Sequence, residues 1–341
     1  LTKSTPIKVL IVDDSPFVRK ALKRVFESDP ETLVIGTASD GKEAIEKALT
    51  LNPDVITLDI MMPVMDGIKT LEVLMEIKPL PVLMLSQFTQ EGGELTLKAL
   101  ELGAMDFIDK STTGLMDFLS LANEILLKTK VIAKGKPRAY SKKQITHSEY
   151  TPHGNIDVVA IGASTGGPPA LQSILQRFPE NIDFAILIVQ HMPKGFTSPL
   201  ANRLNSLCRF PVKEASEGDP IDKGTALIAP SGLHMRVSSD GKRIRLTEDP
   251  LTEIHRPSVN VLFTSVAENI GARSVGVVLT GMGSDGAKGI MAIKSAGGLT
   301  IAQDEATSTI FGMPRAAIET KCVDKVLPIT EISKEILNLS L

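Results

Sequence analysis

Cysteine is almost missing from this 341-residue sequence. Cys208 and Cys322 stand in no metal-ligand spacing and make no disulfide framework, which points to a reducing cytoplasm. Long apolar runs are missing too. No stretch approaches the length of a membrane span and residues 1–15 lack the plan of a signal peptide, so no membrane insertion is expected. Charge of one sign is not in excess. A net charge of −3 supplies no global field to attract nucleic acid, and the second half shows no helix-turn-helix unit with a basic face. A transcriptional regulator is thereby disfavoured and no nucleic-acid partner is expected. There is also no G-x-G-x-x-G fingerprint and no P-loop lysine pattern.

What is present suits two domains, with 43% hydrophobic residues to fill ordinary cores. Residues 7–127 alternate strand and helix patterns five times. Short apolar runs at Val9–Val12, Val34–Ala38, Val55–Leu58, Val82–Leu85 and Asp106–Ile108 read as parallel strands buried on both faces. Five βα units predict an α/β, doubly wound, flavodoxin-like first domain over 1–127, with its site at the carboxyl ends of the strands. Residues 128–154 carry Lys130, Lys134, Lys136, Arg138, Lys142 and Lys143 with no acid until Glu149. Broken by glycine and proline, they read as a basic linker. From 155 to 341 the α/β rhythm returns. Strands are expected at Val158–Ile161, Ala185–Val189, Val275–Leu279 and Leu299–Ala302, in a mainly parallel sheet. Turns at Pro230-Ser231-Gly232 and Ser239-Asp240-Gly241 mark an antiparallel hairpin region attached to it.

Two constellations carry chemistry. Asp13 and Asp14 follow the first strand, Asp59 the third, Ser86 the fourth and Lys110 the fifth, so the fold brings them to one sheet edge. Carboxylates crowded there repel one another unless a divalent cation joins them, and oxygen ligands of this kind suit Mg²⁺. With a phosphoryl group on one carboxylate, Lys110 would neutralise one oxygen and the Ser86 hydroxyl would contact another.

Residues 7–127 resemble a response-regulator receiver domain. The motifs are Val9-Leu10-Ile11-Val12-Asp13-Asp14-Ser15, Leu58-Asp59-Ile60-Met61-Met62-Pro63-Val64-Met65-Asp66-Gly67, Ser86 and Gly103-Ala104-Met105-Asp106-Phe107-Ile108-Asp109-Lys110. The resemblance implies Asp59 as phosphoacceptor, Asp13, Asp14, Asp59 and the Met61 carbonyl around Mg²⁺, and Ser86 and Phe107 at the switch positions. Ser111 departs from the pattern, which often has proline after the lysine.

The second constellation is Ser164 in Gly162-Ala163-Ser164-Thr165-Gly166, His191 in Gln190-His191-Met192-Pro193 and Asp285 in Gly283-Ser284-Asp285-Gly286. Each follows an apolar run, so the three side chains can meet at a common sheet edge. A serine needs a base to become a nucleophile, and the base needs a group to hold its tautomer. Other roles stay open on spacing alone. The glycine-rich turn could cradle a phosphate, His191 could be a loop residue, and Asp285 could cap a helix ahead of Ala287. The order Ser…His…Asp is not that of the α/β-hydrolases.

Residues 156–341 resemble the catalytic domain of the chemotaxis protein-glutamate methylesterases. The matching segments are Ile161–Pro168, Gln190–Met192, Ile228–Pro230, His255–Asn260, Leu279–Gly286, Ala302–Asp304 and Phe311–Pro314, with Asn260 at a position more often acidic. The resemblance implies a hydrolase of glutamate γ-methyl esters on chemoreceptors, with deamidation of receptor glutamines as an expected second reaction. Ser164, His191 and Asp285 are the expected triad, with the backbone N–H groups of Thr165 and Met282 as oxyanion donors and His255 and Arg256 near substrate. No cofactor is expected in the esterase site. The expected partners are methylated chemoreceptors and a chemotaxis histidine kinase, with control by phosphorylation of Asp59. A non-catalytic phosphorelay or scaffold module is the rival, against which the intact Ser164, His191 and Asp285 argue.

Overall fold

The computed structural model describes residues 5–86, 90–110, 115–135 and 156–339. The chain divides into two compact units, the break falling between residues 141 and 142. Ser111 and residues 136–154 of the expected linker lie outside the described residues.

In the first unit five strands alternate with five helices: β1 (Ile7–Val12), α1 (Pro16–Glu27), β2 (Thr32–Ala38), α2 (Gly41–Leu51), β3 (Val55–Asp59), α3 (Gly67–Ile77), β4 (Val82–Ser86), α4 (Gln90–Leu102), β5 (Asp106–Asp109) and α5 (Leu115–Ile132). All pairings are parallel in the order β2-β1-β3-β4-β5, the doubly wound arrangement expected. The apolar runs of β1 and β4 are buried because helices cover both faces of the sheet: Val9 to Val12 and Val82 to Met84 have no exposed surface. Side chains cap the helix starts, Ser15 on α1, Asp40 on α2 and Asp66 on α3. The boundary expected at 127 falls inside α5, which continues to Ile132. Ile125 and Ile132 are buried, and Lys130, read from sequence as part of the linker, pairs with Asp29 (2.5 Å) and Glu31 (2.6 Å).

The second unit runs β6 (Val158–Ala163), α6 (Gly167–Leu175), β7 (Ala185–Gln190), α7 (Thr197–Leu207), β8 (Val212–Glu214), β9 (Ala226–Ile228), β10 (His234–Val237), β11 (Ile244–Thr247), α8 (Val259–Asn269), β12 (Ser274–Val278), α9 (Ala287–Ser295), β13 (Leu299–Gln303), α10 (Met313–Glu319), β14 (Lys325–Leu327) and α11 (Ile329–Leu339). Seven strands form a parallel sheet in the order β14-β13-β12-β6-β7-β9-β8. The antiparallel hairpin is β10–β11, a separate two-stranded sheet. It docks on α8: the Val237 N–H donates to Ser265 Oγ (3.0 Å) and Asn269 Nδ2 donates to the Val237 carbonyl (3.2 Å). Met235, Ile244, Leu262, Phe263 and Val266 share the core beneath it.

Candidate functional sites at two sheet edges

In the first unit the carboxyl ends of β1, β3 and β5 converge as the strand order requires. Asp13, Asp14 and Asp59 bring carboxylate oxygens within 4.8 Å of one another, Asp13 and Asp59 being buried. Lys110, just past β5, bridges two of them, with Nζ 3.0 Å from Asp13 and 2.7 Å from Asp59. Burial, reinforced by the charges of Asp13 and Asp14, pushes the Asp59 carboxyl up to about 6 against the pull of Lys110. Burial alone would lower the Lys110 ammonium, but Asp59 and Asp13 outweigh it and the ammonium is raised. One lysine cannot balance three carboxylates, so this donor set suits a hard divalent cation bound through oxygen. Met61 lies two residues past Asp59, on a loop closed by the Gly67 N–H to the Ile60 carbonyl (2.8 Å). Ser86 is buried at the end of β4, where its Oγ accepts from Thr96 Oγ1 (2.7 Å). Phe107 is buried in β5. Lys128 donates to its carbonyl (2.8 Å) and lies over its ring at 5.6 Å.

In the second unit Ser164, His191 and Asp285 follow three neighbouring strands, β6, β7 and β12. Ala163 pairs with Gln190, so the next residues, Ser164 and His191, stand side by side at the sheet edge. The Ser164 N–H donates to the Thr280 carbonyl (3.0 Å) and the His191 N–H to the Ala163 carbonyl (3.0 Å), continuing the ladder past the strands. Gly166 has φ +76°, the left-handed turn that starts α6, and it packs on Thr309. Gly281 faces the Ser164 backbone so closely that a Cβ there would collide with Ser164 and Met313.

Asp285 receives four hydrogen bonds. His191 Nε2 lies 2.9 Å from Oδ2, which also accepts from the Val259 N–H (2.8 Å). Oδ1 accepts from Ser258 Oγ (2.9 Å) and the Asn260 N–H (2.9 Å). Thus Asp285 sits on the N-terminus of α8, where backbone N–H groups and the helix dipole favour an anion. Burial alone would push its carboxyl up. His191 and the Asn260 and Val259 N–H groups prevail and hold it below the usual carboxylate range. Asp285 does not cap α9. Asn260 serves that helix, its Oδ1 accepting from the N–H groups of Gly286 (2.9 Å) and Gly289 (2.9 Å).

His191 Nδ1 is buried with no hydrogen-bond partner, and Ser164 Oγ makes no hydrogen bond among the described residues. The structure therefore joins His191 to Asp285 and sets Ser164 beside them without closing a serine–histidine bond. His255 stacks on His191, ring centroids 4.2 Å apart and planes at 21°. Burial and the neighbouring His191 lower the His255 imidazole, with Asp285 pulling the other way. Arg256 is half-buried, its guanidinium 3.9 Å from Glu248. The Met282 N–H donates to no group among the described residues, while Thr165 is buried at the turn after Ser164, its carbonyl accepting from Thr280 Oγ1 (3.0 Å).

Sequence reasoning missed three supports. Gln190 Nε2 donates to the carbonyls of both Ser164 (2.9 Å) and His191 (3.0 Å), clipping the two turns together. Ser258 and Asn260 hold Asp285 as described. Ser258 is legible as a helix N-cap before Val259, but its bond to a residue 27 positions away leaves no local signal.

A family model described as CheB methylesterase matches residues 159–336, and one described as response regulator receiver domain matches residues 9–116. Full-length relatives match as well. A protein-glutamate methylesterase/protein-glutamine glutaminase of Lawsonia intracellularis is 43% identical over 96% of this chain and 98% of its own length. One of Pyrococcus abyssi is 47% identical over 97% of this chain and 92% of its own.

The chain belongs to the CheB methylesterase family.

Its second unit also resembles the crystal structure of the Thermotoga maritima CheB methylesterase catalytic domain. The TM-score is 0.53 at 39% identity, over 54% of this chain and 98% of that one. In this chain the receiver match precedes the methylesterase match. Among the described residues no helix is long and apolar enough to cross a membrane.

Proposed function

We propose that this chain is a phosphorylation-regulated protein-glutamate methylesterase that removes methyl groups from glutamate γ-methyl esters on chemoreceptors, and deamidates receptor glutamines by the same chemistry. The observation that carries the reading is the His191–Asp285 pair at the sheet edge, beside a serine on a strand-to-helix turn. Ser164 Oγ attacks the ester carbonyl. Because Asp285 engages Nε2, the nitrogen left to take the serine proton is Nδ1 of His191. The Oγ–carbon bond forms, the negative charge passes to the carbonyl oxygen, and the carbon–methoxy bond breaks as His191 returns the proton to methanol. Water, deprotonated by His191, then hydrolyses the acyl-serine to free glutamate. Asp285 fixes the imidazole and stabilises the imidazolium. The backbone N–H groups of Thr165 and Met282 hold the oxyanion, each contributing ~3 kcal/mol. His255 and Arg256 line the approach of substrate.

Control rests with the first unit, which we take to extend from the expected 1–127 to the end of α5. Asp59 accepts a phosphoryl group from a chemotaxis histidine kinase, and Ser86 and Phe107 are the switch positions. Asp13, Asp14, Asp59 and the Met61 carbonyl would hold Mg²⁺, which supplies charge neutralisation for the incoming phosphoryl oxygens. Lys110 neutralises a further oxygen. Substrate and kinase would both be met in the cytoplasm.

The test is methanol release from methylated chemoreceptor membranes, by the wild type and by Ser164→Ala, each with and without a small phosphodonor and Mg²⁺. Release that requires Ser164 and rises with phosphodonor supports both halves. No release by the wild type would leave a phosphorylated binding module as the better account.

A further inference from the structure

The segment from Glu248 to His255 leaves β11 and enters α8 directly beside the triad, and it exposes apolar side chains where a soluble loop has no need of them. Ile254 is 93% exposed and Leu251 66%. Single exposed aliphatic residues are ordinary, but these two stand three apart on one loop, and Ile254 adjoins the histidine that stacks on His191. The loop is anchored at its far end. The Gly232 N–H donates to the Arg256 carbonyl (3.0 Å), and the Ser258 N–H donates to His234 Nδ1 (3.2 Å). Its tip is therefore presented from a fixed base beside the esterase site.

The charges around the tip narrow the choice of partner. Glu248 and Asp249 are exposed and Glu253 is half-exposed, while the segment carries no lysine or arginine and Arg256, just past it, faces Glu248. Such an acidic surround repels an anionic membrane surface and favours a protein segment that offers apolar and basic side chains.

We infer that Leu251 and Ile254 form a docking ridge that reads apolar side chains flanking the esterified glutamate on the substrate protein, with the neighbouring acids favouring basic residues there. The inference rests on the esterase reading of the same site. It gives the enzyme a means to select which glutamyl esters it opens, separate from the machinery that opens them.

The experiment compares the wild type with the double variant Leu251→Ser/Ile254→Ser in the full chain. Two reactions are followed: methanol release from methylated chemoreceptor membranes and hydrolysis of p-nitrophenyl acetate, which has no flanking residues. The expected result is a loss of roughly tenfold in kcat/KM on the receptor, carried by KM, with hydrolysis of the small ester unchanged. Equal kcat/KM on the receptor would overturn the docking ridge alone, as would parallel losses on both substrates. Wild type that hydrolyses the small ester but releases no methanol from receptor would overturn the esterase reading, and the ridge with it.

Discussion

Asp285 and Asn260 each hold the start of the other's helix. The carboxylate of Asp285 accepts from the N–H groups of Val259 and Asn260 at the head of α8. The amide oxygen of Asn260 accepts from Gly286 and Gly289 at the head of α9. A group at each helix end normally satisfies its own orphan donors. Here the two exchange part of this duty, Ser258 still accepting from the Val261 N–H of α8, so the charge beside His191 is tied to the starts of two helices.

Asn260→Ala should separate this clamp from the chemistry. It leaves the Gly286 and Gly289 N–H groups without their acceptor, at a cost of about 1–2 kcal/mol. Asn260→Asp keeps an acceptor and should retain most of that stability. Thermal unfolding of the esterase unit within the full chain measures both, and equal stability of wild type and Asn260→Ala would remove the clamp as a stabilising contact.

Asp285→Asn and Asp285→Ala should diverge in stability while agreeing in activity. Both lose the charge opposite His191, for which a loss of roughly a hundredfold or more in kcat is expected. Asp285→Ala strands the Ser258 hydroxyl and both N–H groups in the interior, at a cost of about 3 kcal/mol, whereas Asp285→Asn keeps one acceptor oxygen, turns its NH2 toward one of the N–H groups and so strands fewer donors. Kinetics and urea unfolding of the two variants read these separately.

Acid should weaken the second unit in two windows. Burial lowers the imidazoles of His234 and His255 below the usual 6.5, the latter aided by His191. The unfolded chain then takes up protons near that pH while the folded chain resists. Stability is present above 6.5 and declines as pH falls below it. The Asp285 carboxyl, held below 3.8, stabilises the fold above that value and ceases to do so as pH drops through its folded pKa. Unfolding midpoints between about pH 7.5 and 5.5 should fall for the wild type and fall less for His255→Gln.

In the receiver, Asp59→Asn should remove the response to phosphodonor, and a chelator should do the same to the wild type. The readout is the ratio of methanol release with and without a small acyl phosphate. A ratio above one for Asp59→Asn would move the phosphoacceptor elsewhere.

Legibility followed the length of each signal. The long apolar strands β6, β7, β12 and β13 could be read within a residue or two, and with them the common edge of Ser164, His191 and Asp285. The three-residue strands β8 and β14 could not, because so short a run carries no period. The hairpin turn at Ser239-Asp240-Gly241 was legible. The separation of the hairpin from the sheet depends on α8, whose Ser265 and Asn269 side chains take up the Val237 backbone. Asn260 stood out only as a departure from a pattern. Its partners, Gly286 and Gly289, lie 26 and 29 residues away, where no local reading reaches.

The esterase site joins strands that are neighbours in space and far apart along the chain, His191 and Asp285 being 94 residues apart. On a ribosome the receiver's five strands have all been made before β6 begins, so phosphoacceptor chemistry can exist on a nascent chain that has no esterase. On the proposed mechanism, ester hydrolysis must wait until β12 has paired with β6 and Asp285 has reached α8. On that reading the receiver is complete along the chain before the esterase site it would control.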